Sequence, residues 1–231
     1  MSLFQTETAR CPYCSGTIAF EVVYSVNADR RPDLREQILD GSFQRESCAG
    51  CGKAMRMQPN FAYVDAGRGQ WILVEPASGL ATWPELEMAA RETFAIGYGE
   101  GASRLARDIG RTLVPRVTFG WAALREKLVC QAAGLDDVTL ECTKMLMLRG
   151  LGEVPLADGV DLRLVEATAN ELTFVWLRSS DEVVAETLTV PRKLYAGVAS
   201  EPAAWAELRG PLAAGLYVDM NRLLVPAEGE A

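Results

Sequence analysis

Four of the six cysteines stand in two pairs, Cys11-x2-Cys14 and Cys48-x2-Cys51, with 33 residues between the pairs. No other feature constrains the chain as much. A tight Cys-x2-Cys turn sets two sulfurs on one side, with backbone N–H groups aimed at them. Two such turns can place four thiolates at the corners of a tetrahedron. Zn²⁺ suits that arrangement, since it accepts four sulfurs at about 2.3 Å and has no redox chemistry of its own. The spacing alone leaves iron and an iron–sulfur cluster open. Gly52, directly after Cys51, gives such a turn positive φ without a Cβ clash, whereas the matching position after Cys14 is Ser15. Arg10, Lys53 and Arg56 lie near enough in sequence to offset the negative charge of four thiolates.

The first pair, read alone, is CPYC, which is also the dithiol motif of glutaredoxin-type redox enzymes. That chemistry needs a strand before the motif and a helix after it, so that the helix N-terminus lowers the first thiol's pKa. Here polar residues precede the motif, and TIAFEVVYSVNA, a strand pattern, follows it. The Thr-Val-Pro at Thr189, Val190 and Pro191 resembles the proline loop of those enzymes but falls far too late in the chain. The second cysteine pair would be surplus. A four-sulfur metal site is the expectation.

Histidine is absent from all 231 residues. This excludes Ser-His and Cys-His nucleophile pairs, His general bases and every metal site with a His ligand. The net charge of −8 is uneven: residues 1–83 hold 8 basic and 9 acidic side chains, residues 84–150 hold 9 and 9, and residues 151–231 hold 6 and 13. No basic stripe forms, so nucleic-acid binding through phosphate neutralisation is not expected. No apolar run approaches the roughly 20 residues of a membrane span. The first ten residues carry Glu7 and lack an apolar stretch, so no secretory signal and a cytoplasmic location are expected. Thiols stay reduced there, which favours metal over disulfide.

The pattern along the chain divides in three. After the first strand, PDLREQILDG reads as a helix with Pro32 in its first turn, an apolar stripe of Leu34, Ile38 and Leu39, and a stop at Gly41. FAYV and WILV then read as short strands. From Pro84 the period becomes helical, broken around residues 97–101. FGWAALREKLVCQAAG is an amphipathic helix, with Leu124, Leu128 and Cys130 near one side, and Asp136 or Asp137 caps a further helix that Gly150 closes. Beyond it VDLRLVEA, ELTFVWLR and EVVAETLTV predict an antiparallel meander, PRKLYAGVA and PAAWAELRGPL short helices, and LYVDMNRLLV a closing strand. The expected architecture is α+β: a zinc-ribbon-like β module with an inserted helix at 1–83, a helical segment at 84–150, and an acidic α/β domain at 151–231.

By Cys51 the sequence resembles the CpXC domain family of bacteria. The resemblance rests on CPYC, the SVNA segment before a PDL-type helix, CAGCG, Pro59 followed by FAYVD, and WILVEP. The later RVTFGWAALREKLVCQAAGLDD and LECTKMLML are similar to the family's helical segment, so residues 8–150 are covered and the acidic remainder is not. It implies a metal-binding module with Cys11, Cys14, Cys48 and Cys51 as ligands, and brings no established reaction.

Other constellations have plainer readings. Asp136, Asp137 and Glu141 could bind Mg²⁺ but suit helix capping and salt bridging. The glycines at 97, 99 and 101 lack a preceding strand and a P-loop lysine, so they read as a loop. Cys130 and Cys142, without x2 partners, are expected as buried small hydrophobes. Met145 to Leu148 suggests a helix buried on most sides, and Trp71, Trp83, Trp121, Trp176 and Trp205 suggest core or interface anchors. The expected function is that of a non-enzymatic protein-interaction or scaffolding module with one structural Zn²⁺, no catalytic residue and a protein partner. Two alternatives are a nucleic-acid-binding zinc ribbon, which would need a basic face assembled in three dimensions, and an enzyme with a carboxylate pocket in the C-terminal half.

Overall fold

The computed structural model describes residues 2–150 and 159–224. It is α+β, with sheets of five, three and two strands. The five-stranded sheet runs β1 (Leu3–Arg10), β2 (Thr17–Asn27), β5 (Phe61–Asp65), β6 (Gln70–Glu75) and β7 (Val114–Phe119). Its two parallel pairs, β2 with β5 and β6 with β7, each need a crossover. Helix α1 (Pro32–Asp40) lies within the first, and α2 (Trp83–Tyr98) and α3 (Arg104–Gly110) within the second. The short hairpin of β3 (Arg45–Ser47) and β4 (Ala54–Arg56) follows α1. Gly41 ends α1 in the left-handed conformation, as its position after the apolar stripe predicts.

Alternation along β6 shows why this sheet is covered on both sides. Ile72 and Val74 join one core with Leu34, Ile38, Phe61, Tyr63, Trp121 and Leu124. Trp71 joins the opposite core with Ala90, Val117 and Phe119, against which Leu73 packs. Strand β7 begins beyond residue 83, so the sheet and the segment at 84–150 share a core.

Helix α4 (Gly120–Ala132) touches β6 and β7 on one side and β8 (Val160–Ala167) on another. It is therefore buried nearly all round, and Glu126 and Lys127, which an amphipathic reading leaves in solvent, are inside. Helix α5 (Asp137–Gly150) follows, with Asp136 as its cap: the Asp136 carboxylate accepts from the Thr139 N–H. Met147 and Leu148 are buried, and so are Cys130 and Cys142.

The expected meander forms as β8, β9 (Glu171–Arg178) and β10 (Val184–Pro191), antiparallel throughout. Helices α6 (Lys193–Ser200) and α7 (Ala206–Ala213) follow where short helices are expected. The expected boundary after residue 150 opens onto residues 151–158, which lie outside the described residues.

The expected closing strand does not form. Residues 216–220 are irregular, and Asn221–Leu224 is a helical turn, α8. Tyr217, Val218 and Met220 are buried, which is what gives the segment its strand-like pattern, but they enter three different clusters. The backbone donors go to buried carboxylates instead of a neighbouring strand. Leu216 and Tyr217 N–H donate to Glu87, and Met220 N–H donates to Glu141.

Candidate metal centre

Each cysteine pair sits at the tip of a hairpin. The first joins β1 to β2, whose pairing ends at Arg10 and Thr17. The second joins β3 to β4, whose pairing ends at Ser47 and Ala54. The two tips share one hydrogen-bond pattern. Cys11 N–H donates to Gly16 O and Ser15 N–H to Cys11 O, just as Cys48 N–H donates to Lys53 O and Gly52 N–H to Cys48 O. The residue after each second cysteine is left-handed: Gly52 at φ +70° as expected, and Ser15 at φ +60° despite its Cβ.

The tips bring the sulfurs together across the pairs. Cys11 Sγ lies 3.7 Å from Cys51 Sγ, and Cys14 Sγ lies 3.6 Å from Cys48 Sγ. All four ligand atoms fall within 4.8 Å of one another. A tetrahedron with metal–sulfur bonds of about 2.3 Å has edges of about 3.8 Å. A disulfide would need about 2.05 Å. The donor set therefore fits a four-coordinate metal ion, and a strand, not a helix, follows CPYC. Among the described residues these cysteines are the one group of three or more Cys, Asp or Glu placed to share an ion.

The surroundings are asymmetric. Cys11 and Cys48 are buried with Ile18 and Phe20, against which Met55 and Met57 pack, while Cys14 and Cys51 are exposed. The amides of Cys51 and Gly50 lower the Cys48 thiol to about 7. The Gly16 amide pulls Cys14 the same way, but the three neighbouring sulfurs together push it up to about 12. Of the three cations expected to offset the thiolates, Lys53 lies over the Tyr13 ring inside the first knuckle. Arg56 is engaged elsewhere, paired with Glu182 at 2.9 Å and stacked on Trp121.

Sequence reasoning missed a second cluster of ionisable groups. Lys144, fully buried, lies 2.7 Å from Glu126 and 3.0 Å from Glu141. Glu126 also accepts from Arg163 at 3.1 Å and from the Leu164 N–H. Arg163 in turn pairs with Asp219 and with Asp161 at 3.2 Å. Burial drives the Asp161 and Asp219 carboxyls up, but Arg163 holds Asp219 low and takes Asp161 down to about 2. Glu141 goes the other way, to about 7: burial, with Glu126 on the same ammonium, outweighs Lys144. The only local signals were the i, i+3 spacing of Glu141 and Lys144 and charged Asp161 and Arg163 inside a strand. Asp137 joins neither this cluster nor a metal set, being paired with Arg116 and Lys127.

Paired knuckles on hairpin tips, with cysteine as the sole donor type, define a class of metal-competent β module. The chain belongs to the CpXC protein family, whose model matches residues 9–144, more than half its length. The match spans all four cysteines and ends before β8. No curated protein and no solved structure matches the chain significantly. No helix among the described residues is long and apolar enough to cross a membrane.

Proposed function

We propose that Cys11, Cys14, Cys48 and Cys51 hold one structural zinc ion, and that the protein is a non-enzymatic module for binding another protein in the cytoplasm. The observation that carries the metal reading is the pair of cross-knuckle sulfur separations, 3.7 and 3.6 Å, which match the edges of a zinc–thiolate tetrahedron. Such a site has four protein ligands and no position for water, so the ion shapes the hairpin tips and activates no nucleophile. Clamping two tips 34 residues or more apart in sequence stabilises a region with little core of its own. The reading of a protein partner rests on the acidic balance, which disfavours phosphate backbones, and on large apolar side chains left on α2 and α3, Met88, Ile96 and Leu105.

The test is elemental analysis of protein purified without added metal, with anisotropy titrations against single- and double-stranded DNA and RNA. One zinc per chain and no binding at physiological salt is the expected result. Iron in place of zinc overturns the metal assignment. Tight, steeply salt-dependent binding moves the function to nucleic acid.

A further inference from the structure

A cleft of about 660 Å³ opens where the C-terminal end of α1 and one side of α4 face the sheet of β8, β9 and β10. That volume lies within the range of roughly 300–1,000 Å³ typical of small-molecule sites. Its walls are of two kinds. Val129 of α4 and Val165, Val175, Leu177 and Val184 of the sheet line it with aliphatic carbon. Val165 and Val184 are exposed, so this apolar surface is open to solvent and not sealed by the fold.

The other wall carries arginine. Arg45 and Arg125 both line the cleft, and both lie against Gly41, which lines it too. Arg45 Nε donates to Gly41 O at 3.3 Å, and a Cβ added at Gly41 would lie 3.3 Å from Arg125 Nη1. Arg56 stands directly opposite Arg45 in the β3–β4 pairing, a like-charge juxtaposition that weakens a hairpin. Burial takes Arg56 down to about 10 against the pull of Glu182, and the repulsion of Arg125 and Arg45 adds to the fall. Three guanidiniums are thus gathered in a chain whose net charge is −8.

Their compensation is incomplete. Glu182 pairs with Arg56 at 2.9 Å and with Arg125 at 2.5 Å, from a left-handed backbone at φ +59°. Asp40 is the other carboxylate of this wall, and it accepts from Ser42 Oγ at 2.6 Å. The remaining charges are matched elsewhere: Asp181 by Arg178 at 2.7 Å, and Arg163 by Glu126, Asp161 and Asp219. Three cations against two anions leave one positive charge over. Its N–H groups can be reached. Arg45 is exposed and makes no ion pair among the described residues. Arg125 donates to Glu182 through Nη2 and its side chain stays 26% accessible. Its Nε and Nη1 have no partner among the described residues and are not buried, so solvent touches them.

We propose that this cleft binds a small amphiphilic monoanion, an aliphatic chain ending in one carboxylate. The carboxylate docks on Arg45 and Arg125, whose planar guanidiniums present N–H pairs that match its two oxygens. The chain lies along Val175, Leu177 and Val184. One surplus charge matches one carboxylate, whereas a phosphate monoester, at about −1.5 to −2, exceeds it.

The experiment follows the methyl signals of Val175, Leu177 and Val184 by carbon-labelled NMR on the full metal-loaded chain. The probes are octanoate, octanol, octyl phosphate and acetate, each titrated to millimolar concentration at fixed pH and salt. The expected result is a saturable shift of all three residues with octanoate. Octanol and acetate should bind at least roughly tenfold more weakly, the effect of losing one charged hydrogen bond or the apolar chain, and octyl phosphate no more tightly. Arg45→Gln and Arg125→Gln should each lower octanoate affinity roughly tenfold and leave octanol unchanged. Should Arg125→Gln fail to fold, the exposed Arg45→Gln carries the comparison. No saturable shift with octanoate, octanol or octyl phosphate binding more tightly than octanoate, or equal octanoate affinity in Arg45→Gln, overturns the proposal.

Discussion

At the tips of two hairpins four thiols crowd together, two of them exposed; between α4, α5 and β8 carboxylates and cations are shut away from water. Both are clusters of ionisable groups brought together from distant parts of the chain. They differ in where the compensating charge comes from. The cysteine cluster contains acids alone, so its sulfurs can ionise together only around a cation from outside. The buried cluster carries its own cations, Lys144 and Arg163, each contacting more than one carboxylate. A site that imports its charge is conditional on metal supply; one that contains it is not. The same contrast separates a region that can be switched off from a seam that holds α4 and α5 to the C-terminal sheet with or without a metal.

The largest way to test this contrast is to remove the ion. Chelation, or Cys48→Ser, forfeits a metal-binding free energy on the order of 10 kcal/mol. Hydrogen exchange should then lose protection in β1, β3 and β4 while α4, α5 and β8 keep theirs. Equal loss across both regions would erase the distinction.

Next in size is the seam. Lys144→Met leaves Glu126 and Glu141 buried without their shared ammonium. This should cost about 3–5 kcal/mol, because a buried charge has lost its partner. Urea denaturation of the metal-loaded chain measures it. A loss below about 1 kcal/mol would mean that water reaches the cluster.

Smaller again is a pH effect. The Glu141 carboxyl is raised from its ordinary 4.5 to about 7, so the folded chain keeps a proton that the unfolded chain has released. Its favourable contribution is present at low pH and is lost as pH rises through about 7. Asp161 and Asp219, held down, run the opposite way: their contribution is present above about 4 and is lost in acid. Between pH of about 6 and 8 the Glu141 effect stands alone among these three. Relative to Glu141→Gln, which shares the pH dependence of the thiolate site, wild type should lose about 1–3 kcal/mol across that window, as read by thermal melts of both proteins at fixed zinc.

The smallest expected effect sharpens the knuckles themselves. Ser15→Gly should gain about 0.5–1 kcal/mol by relieving a left-handed residue. Gly52→Ala should cost about 1–2 kcal/mol through backbone strain alone, as nothing lies within 4 Å of the added Cβ. Opposite signs on equivalent positions would confirm that the tips share one geometry.

Much of this was legible. The four cysteines, the helix between them and the meander follow from spacing and period, and the three strands of the meander lie where the polar turns place them. Strand β1 was not legible because seven of its eight residues are exposed, so LFQTETAR has no buried face to impose alternation. Strand β7 is hidden by Pro115, which a sheet tolerates there because β7 is an edge. The seam escaped because Glu126, Glu141 and Lys144 look like solvated helix charges. Only folding brings Arg163 and Asp219, 37 and 93 positions from Glu126, to meet them.

The Glu87 carboxylate has a consequence for the order of events at synthesis. It is buried in α2, yet the groups it accepts from, the Leu216 and Tyr217 amides and Arg222, lie some 130 positions later. Gly215 presses so close to it that an added Cβ would sit 1.8 Å from the carboxylate oxygen. At a synthesis rate of roughly 5–20 residues per second that interval is on the order of ten seconds. Throughout it Glu87 stays in water, and Trp71 and Phe119 lack Leu216 and Tyr217 to cover them. The second face of the first sheet therefore closes only after residues 216–222 have been made, which leaves that face uncovered for the whole interval.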